Sequence, residues 1–163
     1  LKAAETGHLV ISTLHTKNAV QTISRIIAVF DPAEQEMIRI RLSESLQAVV
    51  SQRLVSKKTG GRVAAMEIMP VTATIRDCIK DSDRIDDISD LIEEGKDHYG
   101  SQTFDQHLMD LVKEDVVEFE VAKAAANNPA DFDLKMNMFN DPNDGGPKQG
   151  MADEMSQLFG GGG

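Results

Sequence analysis

The run His8-Leu9-Val10-Ile11-Ser12-Thr13-Leu14 constrains the fold more strongly than any other segment of the 163-residue chain. It is short, almost continuously apolar and rich in β-branched residues, which is typical of a strand buried in a parallel sheet. One strand cannot form a sheet alone, and parallel strands are usually joined by helices. The segment therefore predicts an α/β fold.

Two helices and a β-hairpin are predicted after this strand. Thr16 is expected to cap the first helix, which ends near Phe30. The motif Asp31-Pro32-Ala33-Glu34 supplies an N-cap, an N1 proline and an N3 glutamate for a second helix, expected from about Pro32 to Arg53. Its expected inner face consists of Met37, Leu42, Leu46, Val49 and Val50. Residues 54–56 and 62–68, separated by Gly60-Gly61, predict the hairpin.

The C-terminal half is expected to form a helical appendage, with short helices over about 73–80, 84–94, 103–113 and 118–126. Between Phe132 and Met138 the apolar residues alternate as in a strand, but Asn128-Pro129 is typical of a helix start, so we predict a short helix there. Residues 140–163 are rich in Gly, Asp, Asn and Pro, and we expect most of this tail to be disordered.

Charge is distributed unevenly along the chain, whose formal net charge is -10. Residues 1–62 carry nine Lys and Arg against five Asp and Glu, while the remainder carries eight against twenty-two. Basic groups thus surround the first motif, where an anionic phosphate could be bound, and the acidic remainder argues against nucleic acid as the main partner. An acidic run, Asp81 to Asp97, is expected to be a solvated face over an apolar stripe.

Neither a disulfide nor a membrane span is expected. The chain has a single cysteine, Cys78, which excludes an internal disulfide and for which we expect a buried, inert thiol. It has no run of eighteen apolar residues and no signal-peptide pattern, so we expect a cytoplasmic protein without direct membrane insertion. The first residue is Leu1, which we interpret as a cut end.

One histidine stands on each side of the predicted strand, and both are candidate functional residues. In open parallel sheets, ligands bind beyond the carboxyl ends of the strands, where His15 and Thr16 would lie. An imidazole at that edge can donate a hydrogen bond to a phosphate oxygen or position an attacking water. The alternative is structural: His8 satisfies the entry to the strand and His15 a turn. His98 and His107 are expected to be structural or solvent-facing.

The stretch from Ala4-Glu5-Thr6-Gly7-His8 through Leu14-His15-Thr16 resembles the His box of the type II/IV secretion and pilus ATPases, which the PilT, PilB and GspE groups share. Four further stretches resemble the pilus retraction branch, and with them the resemblance covers roughly residues 1–139; they are 19–32, 42–54, 61–68 and 102–108. The assembly and secretion ATPases usually carry a four-cysteine insertion here, and its absence favours the retraction branch.

A helix motif of the retraction branch, Ala-Ile-Arg-Asn-Leu-Ile-Arg-Glu, corresponds to residues 74–81 of this chain. Three of its positions are identical, Ile75, Arg76 and Ile79. Thr74 and Cys78 are among the departures, so the resemblance leaves an accessory motor of the PilU kind as a close alternative.

The resemblance implies that residues 1–70 form the C-terminal part of a RecA-like P-loop ATPase domain, followed by a helical subdomain over 71–139. It implies a homohexamer that binds ATP and Mg²⁺ between subunits and works at an inner-membrane platform protein, at the cytoplasmic base of the pilus. The Walker A and Walker B segments belong to positions before Leu1, so the chain alone is expected to be inactive.

The resemblance also assigns roles to individual residues. His15 is expected to contact the γ-phosphate and His8 to support it as catalytic residues, while the expected nucleotide-binding residues are Thr16, Arg25 and Arg53. For the two arginines, a surface or helix-capping role is an equal alternative. No metal ligand is expected within this chain. A second hypothesis is that the chain is a non-catalytic interaction module that packs on a partner ring or on the membrane platform.

Overall fold

The protein is described here from a computed structural model, in which residues 1–139 are described. The tail prediction for 140–163 falls outside them. Within 1–139 the elements run in this order: α1 (Lys2–Glu5), α2 (Ala19–Ile27), α3 (Gln35–Ser45), β1 (Ala48–Ser56), β2 (Arg62–Pro70), α4 (Ala73–Lys80), a 3₁₀ segment (Ser82–Asp87), α5 (Ile88–Glu94), α6 (Lys96–Tyr99), α7 (Phe104–Lys113), α8 (Phe119–Ala125) and α9 (Pro129–Phe139).

The predicted strand over residues 8–14 is not formed in this structure, where the segment has no regular secondary structure. Leu9 and Ile11 are 87% and 85% exposed. The physical reason is a missing partner: a parallel strand needs neighbouring backbone to accept and donate its hydrogen bonds. In the described part of the chain, β1 and β2 are the sheet strands and they pair with each other.

The first predicted helix is confirmed as α2, but its cap is Asn18 and not Thr16. The Asn18 side chain accepts a hydrogen bond from the backbone N–H of Gln21 at 2.9 Å. Ile23 and Ile27 lie on the buried face of the helix, as their spacing predicted.

The second predicted helix was too long. It ends at Ser45, and Asp31 and Pro32 form a turn before it, with Glu34 at the N-cap position and no side-chain cap. Met37 and Val50, predicted on its inner face, are 59% and 60% exposed. The chain then forms a strand over 48–56, which pairs with residues 62–70. Alternate residues of this strand face inward, the period of two that is typical of a half-buried strand.

The predicted hairpin is confirmed and is longer than expected. β1 and β2 pair antiparallel from Ala48 opposite Pro70 to Ser56 opposite Arg62. Gly60 and Gly61 connect them with φ of 87° and 76°, a conformation that glycine adopts without a steric penalty. The inner face of the hairpin therefore runs the length of nine residue pairs.

Two hydrophobic cores lie along the inner face of the hairpin. The first contains Val49 and Met69 at one end, packed against α2, α3, α4 and α5. The second contains Val55 and Ala65 at the other end, packed against α7, α8 and α9. The hairpin thus joins the N-terminal helices to the C-terminal ones.

The helical appendage is confirmed. α4 occupies the predicted residues, α7 and α8 agree with prediction within one residue, and α9 settles the conflict over Phe132 in favour of a helix. The predicted helix over 84–94 is divided into a 3₁₀ segment and α5, and α6 was not predicted. Cys78 is fully buried in the first core, and burial raises the pKa of its thiol, as expected of an inert cysteine.

The second core yields a test with a matched control. Leu108 on α7 is fully buried and Leu134 on α9 is 61% exposed. We expect Leu108→Ala to lower the free energy of unfolding by about 2 to 5 kcal/mol, because it leaves a cavity. Leu134→Ala should change it by less than about 0.5 kcal/mol. Urea unfolding of both variants measures the difference, and equal losses would contradict this packing.

Candidate functional site

An open groove of about 700 Å³ lies between the end of the 8–14 segment and the exposed side of α2. It brings together three of the predicted site residues, His15, Thr16 and Arg25. The remaining lining residues are Lys17, Gln21, Ser24 and Ala28. The groove therefore offers an imidazole, two cationic side chains and hydroxyl groups on one surface.

A chain of hydroxyl hydrogen bonds fixes Thr16 within the groove. The Thr16 and Thr22 hydroxyl oxygens are 2.6 Å apart, and the Thr22 hydroxyl donates to the Asn18 carbonyl at 2.9 Å. A hydroxyl has one proton, so Thr16 must supply the proton between the two threonines. Its free capacity toward a ligand is consequently that of an acceptor, for example from a bound water.

The groove suits an anionic ligand. Lys17 and Arg25 are cationic at neutral pH, and both they and His15 are exposed. Arg presents a rigid fork of donors that matches phosphate oxygens, and Lys provides a compact point charge. The donor set therefore fits the phosphate groups of a nucleotide.

His8 lies apart from the residues that line this groove. Its Nδ1 is 3.0 Å from the Thr6 hydroxyl, and Gly7 between them has a φ of 86°. His8 is exposed. The structure thus gives the two histidines different surroundings, a turn for His8 and the groove for His15.

Arg53 lies next to the groove, with its guanidinium surrounded by protein groups. It donates to the Ala125 carbonyl at 2.9 Å, to the Asn127 side-chain oxygen at 2.6 Å and, at 3.5 Å, to the Lys17 carbonyl. Its Cζ also lies 3.9 Å from the centroid of the buried Phe104 ring. Three of its contacts therefore connect β1 with the C-terminal helices.

Glu67 is a functional candidate that sequence reasoning missed. Its side chain is buried on β2, where it accepts hydrogen bonds from the Ala19 N–H at 2.7 Å and the Ser51 hydroxyl at 3.3 Å. Burial raises the pKa of Glu67, and these two hydrogen bonds and the charge of Arg53 lower it less. The carboxyl group thereby anchors the first residue of α2.

The three residues of the predicted retraction motif occupy one helix, α4. Ile75 and Ile79 are buried in the first core, where Cys78 also lies. Arg76 is half-buried, and its Nε has no hydrogen-bond partner among residues 1–139. His107 is structural, since its Nδ1 accepts a hydrogen bond from the Met66 N–H at 2.9 Å.

Signals for some of the missed groove residues exist in the sequence. Gln21, Ser24 and Ala28 recur with Arg25 at helical spacing on the polar side of α2, and Lys17 follows the second histidine closely. Glu67 has no such signal, because only the hairpin register brings it to the start of α2.

No group of side chains in the described range 1–139 has the composition and spacing to hold a metal ion. No helix in that range is long and apolar enough to cross a membrane.

Comparison with known proteins identifies the chain's relatives. The family model of the type II/IV secretion system proteins matches residues 1–60. The type IV pilus retraction ATPase PilT of Pseudomonas aeruginosa is 46% identical over 132 residues, which are 81% of this chain and 38% of that protein. The type IV pilus ATPase PilU of the same organism is 35% identical over 136 residues, 83% of this chain and 35% of that protein.

A solved structure agrees with these relatives. The crystal structure of the pilus retraction motor PilT with bound ADP matches with a TM-score of 0.71 and 38% identity, over 82% of this chain and 36% of that one. The chain belongs to the PilT-like type II/IV secretion ATPases. It spans little more than a third of the length of these PilT-like relatives. The α/β ATPase fold with a helical appendage is thereby confirmed.

Glu67 yields a pH-dependent prediction. A carboxyl whose pKa is higher in the folded than in the unfolded protein stabilises the fold fully below its ordinary value of 4.5, and this contribution is lost as the pH rises through the folded-state pKa. Glu67→Gln keeps an oxygen acceptor for Ala19 but cannot ionise. We expect its thermal midpoint to rise relative to that of the unmodified protein as the pH increases above about 4.5. A difference that stays constant or falls over this range would contradict the raised pKa.

Proposed function

We propose that the full-length protein that contains this chain is a motor ATPase, which hydrolyses ATP to drive type IV pilus retraction and twitching motility. The observation that carries the proposal is the groove in which His15, Thr16 and Arg25 lie together. Its cationic and hydrogen-bonding lining suits nucleotide phosphates, and it lies at the C-terminal end of the motif that resembles the His box. The greater identity to the retraction ATPase PilT than to PilU supports retraction over an accessory role.

Each groove residue has a distinct task in this proposal. ATP with Mg²⁺ supplies the transferable phosphoryl group. His15 donates a hydrogen bond toward the γ-phosphate or orients the attacking water, and Arg25 and Lys17 offset negative charge. Thr16 accepts a hydrogen bond from a water at the site, because its own proton is engaged by Thr22. His8 supports the same segment from its other end.

The wider assembly forms the second part of the proposal. The motor acts as a homohexamer in the cytoplasm, with ATP bound between subunits, and works at the inner-membrane platform protein at the base of the pilus. Rigid-body rotation of domains about the subunit interfaces would convert hydrolysis into force. Nucleic acid is not a partner in this proposal, which agrees with the acidic C-terminal two-thirds of the chain.

A non-catalytic interaction module is the second candidate function. The observation that favours it is that the 163 residues contain no Gly-x-x-x-x-Gly-Lys-Ser/Thr sequence, the loop that surrounds phosphates in P-loop ATPases. On either proposal this chain alone does not hydrolyse ATP. The two functions differ in whether the full-length protein does.

ATP turnover of the full-length protein, with and without His15→Ala, tests the proposal. We expect turnover by the hexamer to fall by about 10²-fold or more, as when one contact to the transition state is removed. His98→Ala is the matched control, since His98 is also an exposed histidine but lies on α6, outside the groove. Its turnover should stay close to that of the unmodified protein.

Two other results would change the interpretation. Unchanged turnover in His15→Ala would reduce His15 to a structural residue. An unmodified hexamer or monomer with no turnover at all would favour the non-catalytic module.

A further inference from the structure

We propose that Arg53 and Glu67 are positioning residues that hold the turn 17–19, and with it His15 and Thr16, in place at the groove. We call Arg53 and Glu67 the hairpin clasp. The same clasp links this turn to the C-terminal end of α8. Its effect on ATP hydrolysis rests on the proposed function, while its effect on the turn does not.

The clasp lies where the two hydrophobic cores meet. On the inner face of the hairpin, Val49 belongs to the first core and Val55 to the second, and the intervening inward residues are Ser51 and Arg53. Polar side chains in such a place lose hydration, so they persist where each finds protein partners. Here Ser51 contacts Glu67, and two partners belong to the segment that follows the His-box motif, the Lys17 carbonyl for Arg53 and the Ala19 N–H for Glu67.

Glu67 holds one end of the turn. It accepts the Ala19 N–H at 2.7 Å, an N–H at the start of α2 that no residue of the helix itself can satisfy. A carboxylate at this end of a helix is also favoured by the helix dipole. Ser51, from the paired strand position opposite Glu67, donates to the same oxygen and fixes its direction.

Arg53 holds the other end of the turn. Its Nη2 lies 3.5 Å from the Lys17 carbonyl, a long hydrogen bond, and 2.6 Å from the Asn127 side-chain oxygen. Because one nitrogen contacts both residues, the Lys17 carbonyl and Asn127 lie on the same side of the guanidinium. Movement of either one changes the position that Arg53 can take.

The far side of this connection is itself fixed. Asp105, near the start of α7, accepts the backbone N–H groups of Asn127 and Asn128 at 2.7 and 3.2 Å. Arg53 Nη1 donates to the Ala125 carbonyl at 2.9 Å, close to the end of α8. The C-terminal helices are thereby connected through hydrogen bonds to the turn 17–19, which lies beside His15.

These contacts indicate that Arg53 supports the turn 17–19 and does not itself bind the nucleotide. Its guanidinium lies against the Phe104 ring and donates to three protein oxygens, and Arg53 does not line the groove. Lys cannot reproduce a planar fork that satisfies several acceptors at once. Arg53→Lys therefore keeps the charge and removes the geometry.

The test uses the full-length protein and measures two quantities, amide hydrogen exchange over residues 16–22 and the steady-state kinetics of ATP hydrolysis. Arg53→Lys and Glu67→Ala should each speed exchange in this segment by about tenfold, as expected when one hydrogen bond that holds the segment is lost. Arg62→Lys is the matched control, since Arg62 is an exposed arginine on the same hairpin. Its exchange should be unchanged.

Asn127→Ala provides the sharper measurement. It lies more than a hundred residues from the turn in sequence, yet it should speed exchange over 16–22 as Arg53→Lys does, because it removes the anchor of the same guanidinium. In the double variant of Arg53→Lys and Asn127→Ala, exchange over 16–22 should be faster than in either single variant by less than twofold, since both substitutions remove the same connection. Glu67→Gln, unlike Glu67→Ala, keeps the acceptor for the Ala19 N–H, so its exchange over 16–22 should stay close to that of the unmodified protein.

In the kinetics we expect kcat to fall about tenfold in Arg53→Lys while the KM for ATP changes less than twofold, as for a group that positions others. A KM that rises tenfold with unchanged exchange would make Arg53 a nucleotide ligand and overturn the inference. Unchanged exchange in both Asn127→Ala and Glu67→Ala would also overturn it. If the unmodified protein has no turnover, the proposed function fails, and the exchange rates still decide the clasp.

Discussion

The hydrogen bond from the Ala19 N–H to the buried Glu67 carboxyl is the contact on which the arrangement around the groove depends. It joins the first residue of α2 to the middle of β2, between two hydrophobic cores that have no buried residue in common. Burying a carboxyl group is costly, and the cost is reduced here by the helix N–H and the Ser51 hydroxyl. Apolar packing alone is non-directional, so this bond gives the start of α2 a defined place and direction on the hairpin.

The groove follows from that placement. Once the start of α2 is fixed, its exposed side presents Gln21, Ser24 and Arg25 next to the preceding turn. The hydrogen bonds from Thr16 to Thr22 and from Thr22 to the Asn18 carbonyl then hold Thr16 against the start of α2. A site built on a helix and a clasped turn is more precise than one built on a loop alone, and precise placement is what the proposed phosphoryl transfer would require.

Local elements were predictable from the sequence where short-range signals decide them. α4 and the Gly60-Gly61 turn were correct, since caps, helical periodicity and glycine conformations act over a few residues. The error over 46–53 arose because Val49 and Val50 suit a helix face as well as a strand, and the choice is made by pairing with 62–70. His15, Thr16 and Arg25 were foreseen as candidates, while Glu67 was not, because it meets Ala19 across 48 residues of sequence.

The two histidines, His8 and His15, are positioned by contacts of different range along the sequence. Residues 8–14 have the composition of a buried strand, yet Leu9 and Ile11 are exposed because β propensity cannot supply the hydrogen-bond partners of a parallel strand. His8 at the start of this segment is supported by its neighbour Thr6. His15 at its end is two residues from Lys17, whose carbonyl Arg53 reaches, and four from Ala19, which Glu67 holds. The position of His15 is therefore determined from its C-terminal side by contacts with distant residues, whereas the contact of His8 is with Thr6, two residues before it.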